Sequence, residues 1–598
     1  MKTIAATLSA AQALPTGRPI ARASVADNGR LHPAALYTYA YTGAAVHGVN
    51  CGSFFLRTRQ TSGVNTLDYQ KITDPTVSAQ WSAWTNLNSL VPLAGMSCVF
   101  WTGTYVVIVY QSSADAKLYY RRSTDGVTFG AAALAYADPA PTYTASLGGV
   151  SGGATNSGLV AHYNGVVYYG AYNATTNTWS ALEATGLTNS AVQNPSLAGL
   201  YDAGRARHVL LVTTIAYVSW ARFALFAVTR TGVGAFGTPT PYLHSNRQAY
   251  IGLAVSQATL NGFWWLSFGR QRPGTASSSH YLACSNDGLH WEDAHPLHEV
   301  ANPYMEILGA LTGDSAYTYL ADETTVLRSS APSYWSNLTV SRYELSAGGR
   351  SLAGEGATPT GLGQARHIGL SSVVALIDNR SGAATPPALH SRFTLERGYN
   401  VEGSDYYVSA GAFYVTGFRY LSRDNLLELT ATDGWGLLEA WVLDQAFAMR
   451  AARVDTLLEH FCALAGVHTV TFDASALWAT TLSNFTVIGG ATGFVAVRAL
   501  QDRVPFDIAV QADGSFYAFV PAAAPAAVAA FGPSDHQLWP GDFGAQVGVN
   551  FVNVVGSPPA SVGSDAYTVA TVVAAGRRWT AQKLHPRITL NADADALA

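Results

Sequence analysis

Lysine is nearly absent from this 598-residue chain: it occurs only at Lys2, Lys71, Lys117 and Lys583, and arginine supplies the other basic groups. Charged residues of all kinds make up 12% of the sequence, and the net charge is −4. So weak and acidic a balance, with no basic run, argues against nucleic acid or an anionic membrane as the main partner. Cysteine is as sparse. Cys51, Cys98, Cys284 and Cys462 are scattered, with no Cys-x-x-Cys pair among them, which argues against a disulfide scaffold or a zinc knuckle and reads as buried thiols. Long apolar runs are missing too: no window approaches the roughly 18 to 20 residues of a membrane-spanning helix. The opening stretch "MKTIAATLSAAQALPTGRPIARA" places Lys2 ahead of alanine-rich residues. Its apolar part is short and broken by Thr, Ser and Gln, so it does not read as a secretory signal.

What the chain has in quantity is apolar side chain. At 48% hydrophobic residues, 11% of the total aromatic, the composition is that of a globular protein with large cores. The length exceeds one ordinary core, so two or three domains are expected.

A short pattern occurs twice. "RSTDGVTF" (Arg122 to Phe129) and "CSNDGLHW" (Cys284 to Trp291) both read Ser-x-Asp-Gly-x-x-aromatic. Each closes a longer unit: an apolar strand, a polar loop, a second strand ("LYYRRS" or "YLACS"), the Asp-Gly turn and the aromatic. Units with worn turns follow the same plan and close on Trp84, Trp179, Phe236 and Trp335. The six closing aromatics are spaced 45, 50, 57, 55 and 44 residues apart. Apolar residues within the units alternate by two rather than at helical spacing, and such a period of short strands predicts a β-propeller of six or seven blades.

The repeated turn resembles the Asp-box of sialidase-like propellers. Asp125 and Asp287 are expected to accept backbone N–H bonds from the turn that follows, Gly126 and Gly288 to supply positive φ, and Phe129 and Trp291 to pack between blades. Ser123 and Ser285 complete the motif. The resemblance implies a structural role, and no catalytic residue is carried over with it.

Motifs that would carry chemistry lack their context. The sialidase Arg-Ile-Pro signature is absent; "GRPIARA" at Gly17 to Ala23 only scrambles it. "GVSGG", Gly149 to Gly153, matches a nucleophile elbow, yet Ser151 sits in a Gly/Ser-rich stretch with no helix pattern behind it. "HWEDAHPLHE" gathers His290, Glu292, Asp293, His295 and His298, suitable metal ligands spoiled by Pro296 and by a strand-and-loop setting. "GEGATPTGLG", Gly354 to Gly363, reads as a linker rather than a phosphate loop. No enzyme activity, metal or cofactor is expected.

Past residue 365 the texture changes. "SSVVALIDNRSG" reads as a strand and turn, followed by further strands and a helix from about Trp435. "VDTLLEHFCALAGV" then puts Val454, Leu457, Leu458, Phe461, Cys462 and Ala465 on one helical face, with Gly466 as the stop. "GFVAVRALQDRV" is a further helix, and "FDIAVQADGSFYAF" is a hairpin turning on Asp513-Gly514. This order resembles the hub and baseplate proteins of bacteriophage tails. The features that carry the likeness are Leu395, Gly398 and Tyr399 in one strand, Phe413 to Gly417 in another, Leu429 and Asp433 before a helix, and the Cys462 helix leading to the "DGSFYAF" hairpin. The strand "NFVNVVGSPP" and the late "AAGRRWTAQ" fit the plan's return to its barrel.

The expectation is thus a mainly β protein: residues 1–45 as N-terminal strands of the hub-like barrel or a closing strand of the propeller, 46–345 as propeller, 346–365 as linker and 366–598 as an α+β hub-like domain. The resemblance implies a virion protein of the tail tip or baseplate, made in the host cytoplasm. It implies other tail proteins as partners, a host-surface glycan or protein as a target, and a cyclic homo-oligomer, three-fold or six-fold. The rival expectation is a secreted carbohydrate-binding or glycoside-hydrolase propeller.

Overall fold

The structure, a computed structural model, describes residues 18–520 except 27–30, 32, 40–44, 61–65, 88–91, 113, 138–145, 164, 189–194, 219–220, 233, 246–248, 272–277, 301–304, 313, 323, 331–334, 352–366, 402 and 445. Beyond 520 it describes 551–556, 561–564 and 580–585. The chain forms two compact units, one made of Gly29–Ser333 and the other of Met1–Asn28 with Tyr334–Ala598. Most elements in both are β-strands. Among the described residues no helix is long and apolar enough to cross a membrane.

In Gly29–Ser333 the repeat appears as six antiparallel sheets. Their first strands are Ala45–Asn50, Pro92–Trp101, Ser146–Val150, Leu197–Asp202, Ala249–Val255 and Glu306–Leu311. Each first strand touches that of the next sheet, and the sixth touches the first, so these inner strands close a ring. The sixth sheet takes its outermost strand, Pro33–Thr38, from the N-terminal side, paired with Thr325–Ser330. Apolar clusters fill the seams. Val49, Leu56 and Tyr69 of the first sheet meet Val106, Ile108 and Tyr110 of the second. Trp265, Leu282 and Cys284 of the fifth meet Ile307 and Leu320 of the sixth. The inner strands pack so closely that a Cβ on Gly149 would lie 2.4 Å from the Val99 carbonyl oxygen, and one on Gly148 2.7 Å from that of Leu197. Of the "GVSGG" glycines, Gly149 and Gly152 answer to backbone approach, a Cβ on Gly152 lying 2.4 Å from the Asn156 carbonyl oxygen, and Gly153 to a positive φ of +83°. Behind Ser151 comes a turn and the strand Ser157–Tyr163, so the helix of a nucleophile elbow is missing.

Two of the six closing aromatics need correcting. Trp81, not Trp84, is the buried tryptophan of the first sheet, packing on Phe55 and Tyr319 at the seam with the sixth. Trp84 is only half-buried and lies under the Arg59 guanidinium. The spacing could not separate two tryptophans three residues apart. Trp335 belongs to the other unit: it joins the barrel core, and its Nε1 donates to the Thr385 carbonyl at 3.1 Å.

The second unit holds a closed barrel of six antiparallel strands, in order Arg18–Ala26, Leu338–Ser351, His367–Asp378, Leu426–Thr432, Ser404–Leu421 and Arg392–Val401. Alternation by two fills it: Val373, Ala375 and Ile377 on one strand and Leu427, Leu429 and Ala431 on its neighbour point inward with Leu395, Phe413 and Val415. The N-terminal strand adds small side chains, Ala21 and Ala23, with Val25. The expected linker at 346–365 is corrected in part. Residues 346–351 are strand, paired in continuous register with Gly369 at Gly349 and with His367 at Ser351. The expected boundaries at 46, 345 and 366 differ accordingly from the observed units. The segment Gly354–Gly363 and residues 1–17 lie outside the described residues.

Helices Gly434–Ala440, Val454–Leu464 and Gly493–Gln501 follow, with the hairpin of Asp507–Val510 and Phe516–Phe519. The face Val454, Leu457, Leu458, Phe461, Cys462 and Ala465 is buried in one core with Trp435, Phe485 and Phe516. Strand Phe551–Gly556 pairs with Ser561–Ser564 and Thr580–His585 in a sheet of its own. The expected return of that segment to the barrel is thereby corrected: the barrel is closed by Arg18–Ala26, leaving no free edge for it to join.

Asp433 ties barrel to helix. One carboxylate oxygen accepts from Trp435 N–H at 3.0 Å as the helix cap, and the other accepts from Ser371 N–H at 2.7 Å on the strand His367–Asp378. Burial pushes its carboxyl up to about 6, against the pull of those two donors. Asp433→Ala orphans both N–H groups and is expected to lower stability by about 1–3 kcal/mol, read by urea unfolding at neutral pH. An unchanged midpoint would contradict this reading of the cap.

Candidate functional site

The two Ser-x-Asp-Gly turns are the same structure built twice. Ser123 Oγ donates to Asp125 Oδ1 at 2.7 Å and accepts from Gly126 N–H at 2.9 Å; Ser285 does the same toward Asp287 (2.9 Å) and Gly288 (2.9 Å). Asp125 Oδ1 accepts from Val127 and Thr128 N–H at 2.8 and 2.7 Å, and Asp287 Oδ1 from Leu289 and His290 N–H at 2.8 and 2.9 Å. Gly126 and Gly288 have φ +70 and +73°. The backbone closes identically, Gly130 N–H onto Arg122 O and Glu292 N–H onto Cys284 O. The hydrogen bonds hold the Asp125 carboxyl well below the usual range. Burial opposes ionisation of Asp287, but the His290 imidazole at 2.9 Å and the turn N–H groups outweigh it.

Each turn is also gripped by the sheet before it. Tyr69 Oη donates to the Val127 carbonyl at 3.1 Å, and its ring meets Phe129 at 5.0 Å between centroids. Arg207 Nη2 donates to the Asp287 carbonyl, and Arg205 Nη1 reaches the Asn286 carbonyl at 3.4 Å. Trp291 is buried. The sequence placed Ser123 and Ser285 in the motif without the bonds their hydroxyls make, and it gave no sign of Tyr69, Arg205 and Arg207 as donors to the turns.

The hairpins that lead out of the inner strands surround a cavity of about 590 Å³. All six sheets contribute: Asn50, Trp101, Ser151, Tyr201, Gln257 and Gly309 are one residue from each. Small turns make the room. Gly103 and Gly153 sit in them with φ +85 and +83°, and Gly309, within the strand Glu306–Leu311, has φ +75°. The Trp101 N–H donates to Ser151 Oγ at 2.9 Å, joining the second and third sheets. Ser151 is thus a hydrogen-bonded seam residue rather than a dispensable loop serine.

Asp202 is the only acidic side chain among the described residues that line the cavity. Its carboxylate lies 2.9 Å from Arg205 Nη1 and 3.7 Å from Arg207 Nε. These are the arginines that reach the turn of Asp287, so one short chain of polar contacts connects that turn to the cavity wall. The sequence hint that went unread is a Gly-containing turn behind an inner strand, as in "WTG", "SGG" and "DAG".

The residues of "HWEDAHPLHE" serve separate partners. His290 is on Asp287; Asp293 lies 3.9 Å from Arg270, and His295 3.8 Å from Glu292. The His298 side chain lies outside the described residues. A further polar pair lies on the inner strands where the ring closes. His47 Nδ1 is 3.7 Å from Glu306 Oε1. Burial pushes the Glu306 carboxyl up to about 8, against the Gly48 N–H and the Arg57 guanidinium, and brings the His47 imidazole down to about 4. At neutral pH the acid keeps its proton and the imidazole is uncharged.

No protein-family model matches the chain, and no curated protein matches it. Solved structures with partial likeness include a tail protein from Neisseria meningitidis MC58 (13% identity, 39% of this chain and 67% of that one, TM-score 0.25). Aleuria aurantia lectin, a fungal six-bladed β-propeller that recognises fucose, shares 12% identity over 48% of this chain and 96% of that one (TM-score 0.31). An α-L-arabinofuranosidase of Fusarium graminearum shares 10% over 52% and 97% (TM-score 0.32). At such scores no argument about function passes from them to this chain.

Asp287→Ala is expected to cost about 1–3 kcal/mol, since buried N–H groups lose their acceptor. The depressed carboxyl makes that stabilisation full above about pH 4 and lets it fade at lower pH, so wild type and variant should converge in acid when unfolding is followed by circular dichroism. The His47–Glu306 pair sets a second window. Between pH 6.5 and about 8 the folded chain holds a Glu306 proton that the unfolded chain has released, so stability falls as pH rises, by up to about 1.4 kcal/mol per unit. Below pH 6.5 the proton that His47 fails to take up on folding offsets this. Glu306→Gln should flatten the fall above 6.5; an identical slope in the variant would remove Glu306 as its source.

Proposed function

We propose that this chain is a structural component of a bacteriophage tail tip or baseplate, in which a hub-like barrel and α+β module seats a six-bladed β-propeller used to recognise a host surface or a neighbouring tail protein. The observation that carries the reading is that the propeller unit, Gly29–Ser333, interrupts the barrel unit. The barrel takes Arg18–Ala26 before the propeller and Leu338–Ser351 after it, so the propeller is an insertion carried by the barrel. The residues of the tail-hub resemblance also fall at structural positions: Leu395 in the barrel core, Gly398 where a Cβ would collide with the Tyr406 carbonyl, and Asp433 at the helix cap.

The propeller works by binding rather than turnover in this reading. Glycoside hydrolysis uses two carboxyl groups facing each other across the scissile bond, and the described residues of the cavity wall supply one carboxylate, already occupied by arginine. Assembly falls to the second unit. Val442, Ile488 and Val495 are exposed apolar residues around the pairing of 441–443 with 490–493, and such a patch suits contact with a neighbouring subunit in a three-fold or six-fold ring.

Immunogold electron microscopy of purified particles tests the assignment: label is expected at the tail end. Full-length protein should sediment as a closed oligomer, and Ile488→Asp with Val495→Asp should shift it toward monomer without lowering its melting temperature by more than a few degrees. Absence from particles, together with a strictly monomeric state at high concentration, would leave the secreted carbohydrate-binding propeller as the better account.

A further inference from the structure

The cavity enclosed by the inner-strand turns is chemically selective. Trp101, Tyr201 and Trp264 line it from three different sheets, and Ser151, Gln257 and Thr259 add polar side chains. The one carboxylate among its described lining residues, on Asp202, is matched by two guanidinium groups, and no lysine or arginine is among those described residues. The described lining itself offers an anionic ligand no basic side chain, and both neighbouring guanidinium groups are already engaged by Asp202. Glycines without side chains, Gly103, Gly152, Gly153, Gly204 and Gly309, make up part of the lining.

We infer that this cavity binds a neutral saccharide of one to three units. Aromatic walls suit the C–H face of a pyranose, while hydroxyls need neutral donors and acceptors at several heights, which Ser, Thr and Gln side chains provide. A volume of about 590 Å³ falls in the range of small-molecule sites, roughly 300–1,000 Å³. Because every sheet contributes to the wall, there is one such site per propeller, on the face that also carries the Asp-Gly turns. The polar chain from Asp202 through Arg205 and Arg207 to the Asp287 turn holds the wall in place before any ligand arrives. That the saccharide belongs to a host surface rests on the recognition reading above; the site itself does not.

The test uses the full-length protein. Maltotriose, mannotriose, chitotriose and lactose are titrated by saturation-transfer NMR and tryptophan fluorescence, with 3′-sialyllactose as the anionic comparison. At least one neutral sugar should bind, and sialyllactose no more tightly than lactose. Thr259→Trp, at an exposed rim position, should fill the cavity and weaken binding at least tenfold, and Gln257→Ala should weaken it several-fold, both with melting temperatures near wild type. Failure of all four neutral sugars to bind, tighter binding of sialyllactose than of lactose, or undiminished affinity in Thr259→Trp would each overturn the inference. If sugar binding behaves as expected while particles lack the protein, the tail assignment fails and the site remains.

Discussion

Two closed β-structures in this chain each need a strand from the same short N-terminal segment. Arg18–Ala26 lies between Leu338–Ser351 and Arg392–Val401 and closes the barrel. A few residues later Pro33–Thr38 completes the sixth sheet of the ring. Without the first, two barrel strands would expose a row of unpaired N–H and C=O groups. Without the second, the sixth sheet would lose its outer strand. Closure of both units therefore couples the two ends of long stretches of chain, and the fold tolerates a large insertion in the barrel because its flanking strands are pinned.

Within the ring, two kinds of contact divide the labour. Apolar seams between neighbouring sheets supply the bulk of the cohesion. Polar contacts set the fine geometry: Asp125 and Asp287 organise their turns, and Tyr69, Arg205 and Arg207 fasten those turns to the preceding sheet. The resemblance to Asp-boxes implies a role away from any functional centre. Here the second turn is joined through Arg205 and Arg207 to Asp202, a wall residue of the cavity. A structural motif and a candidate binding site thus share one set of side chains.

Burial of ionisable groups follows the same division. Cys51, Cys98 and Cys462 lie in apolar surroundings that push their thiols well up, as inert core residues. The inner strands instead keep a protonated Glu306 beside a neutral His47. A pair without net charge costs less to enclose than a separated carboxylate and imidazolium, which is how the closing seam accommodates polar groups at all.

Much of this architecture was legible before any coordinates. Features of short range were the readable ones: the alternation that fills the barrel, the helical face from Val454 to Ala465 with its Gly466 stop, the Asp513-Gly514 hairpin, and the two Asp-Gly turns, whose hydrogen bonds span at most a few residues. The repeat of aromatics announced successive sheets, yet it took Trp84 for Trp81 and Trp335 for a ring residue. Periodicity marks where a strand unit ends without saying which neighbouring ring is buried, or in which core. The cavity could not be located from the linear sequence: Gly-containing turns mark parts of its wall, but residues from Asn50 to Gly309 meet only when six inner strands converge. Nor could the role of Arg207 be read there, since its partners Asp202 and Asp287 lie on different sheets. Local hydrogen bonding and the period of apolar side chains wrote the elements and their order; long-range strand pairing alone decided which elements close on one another and what space they enclose.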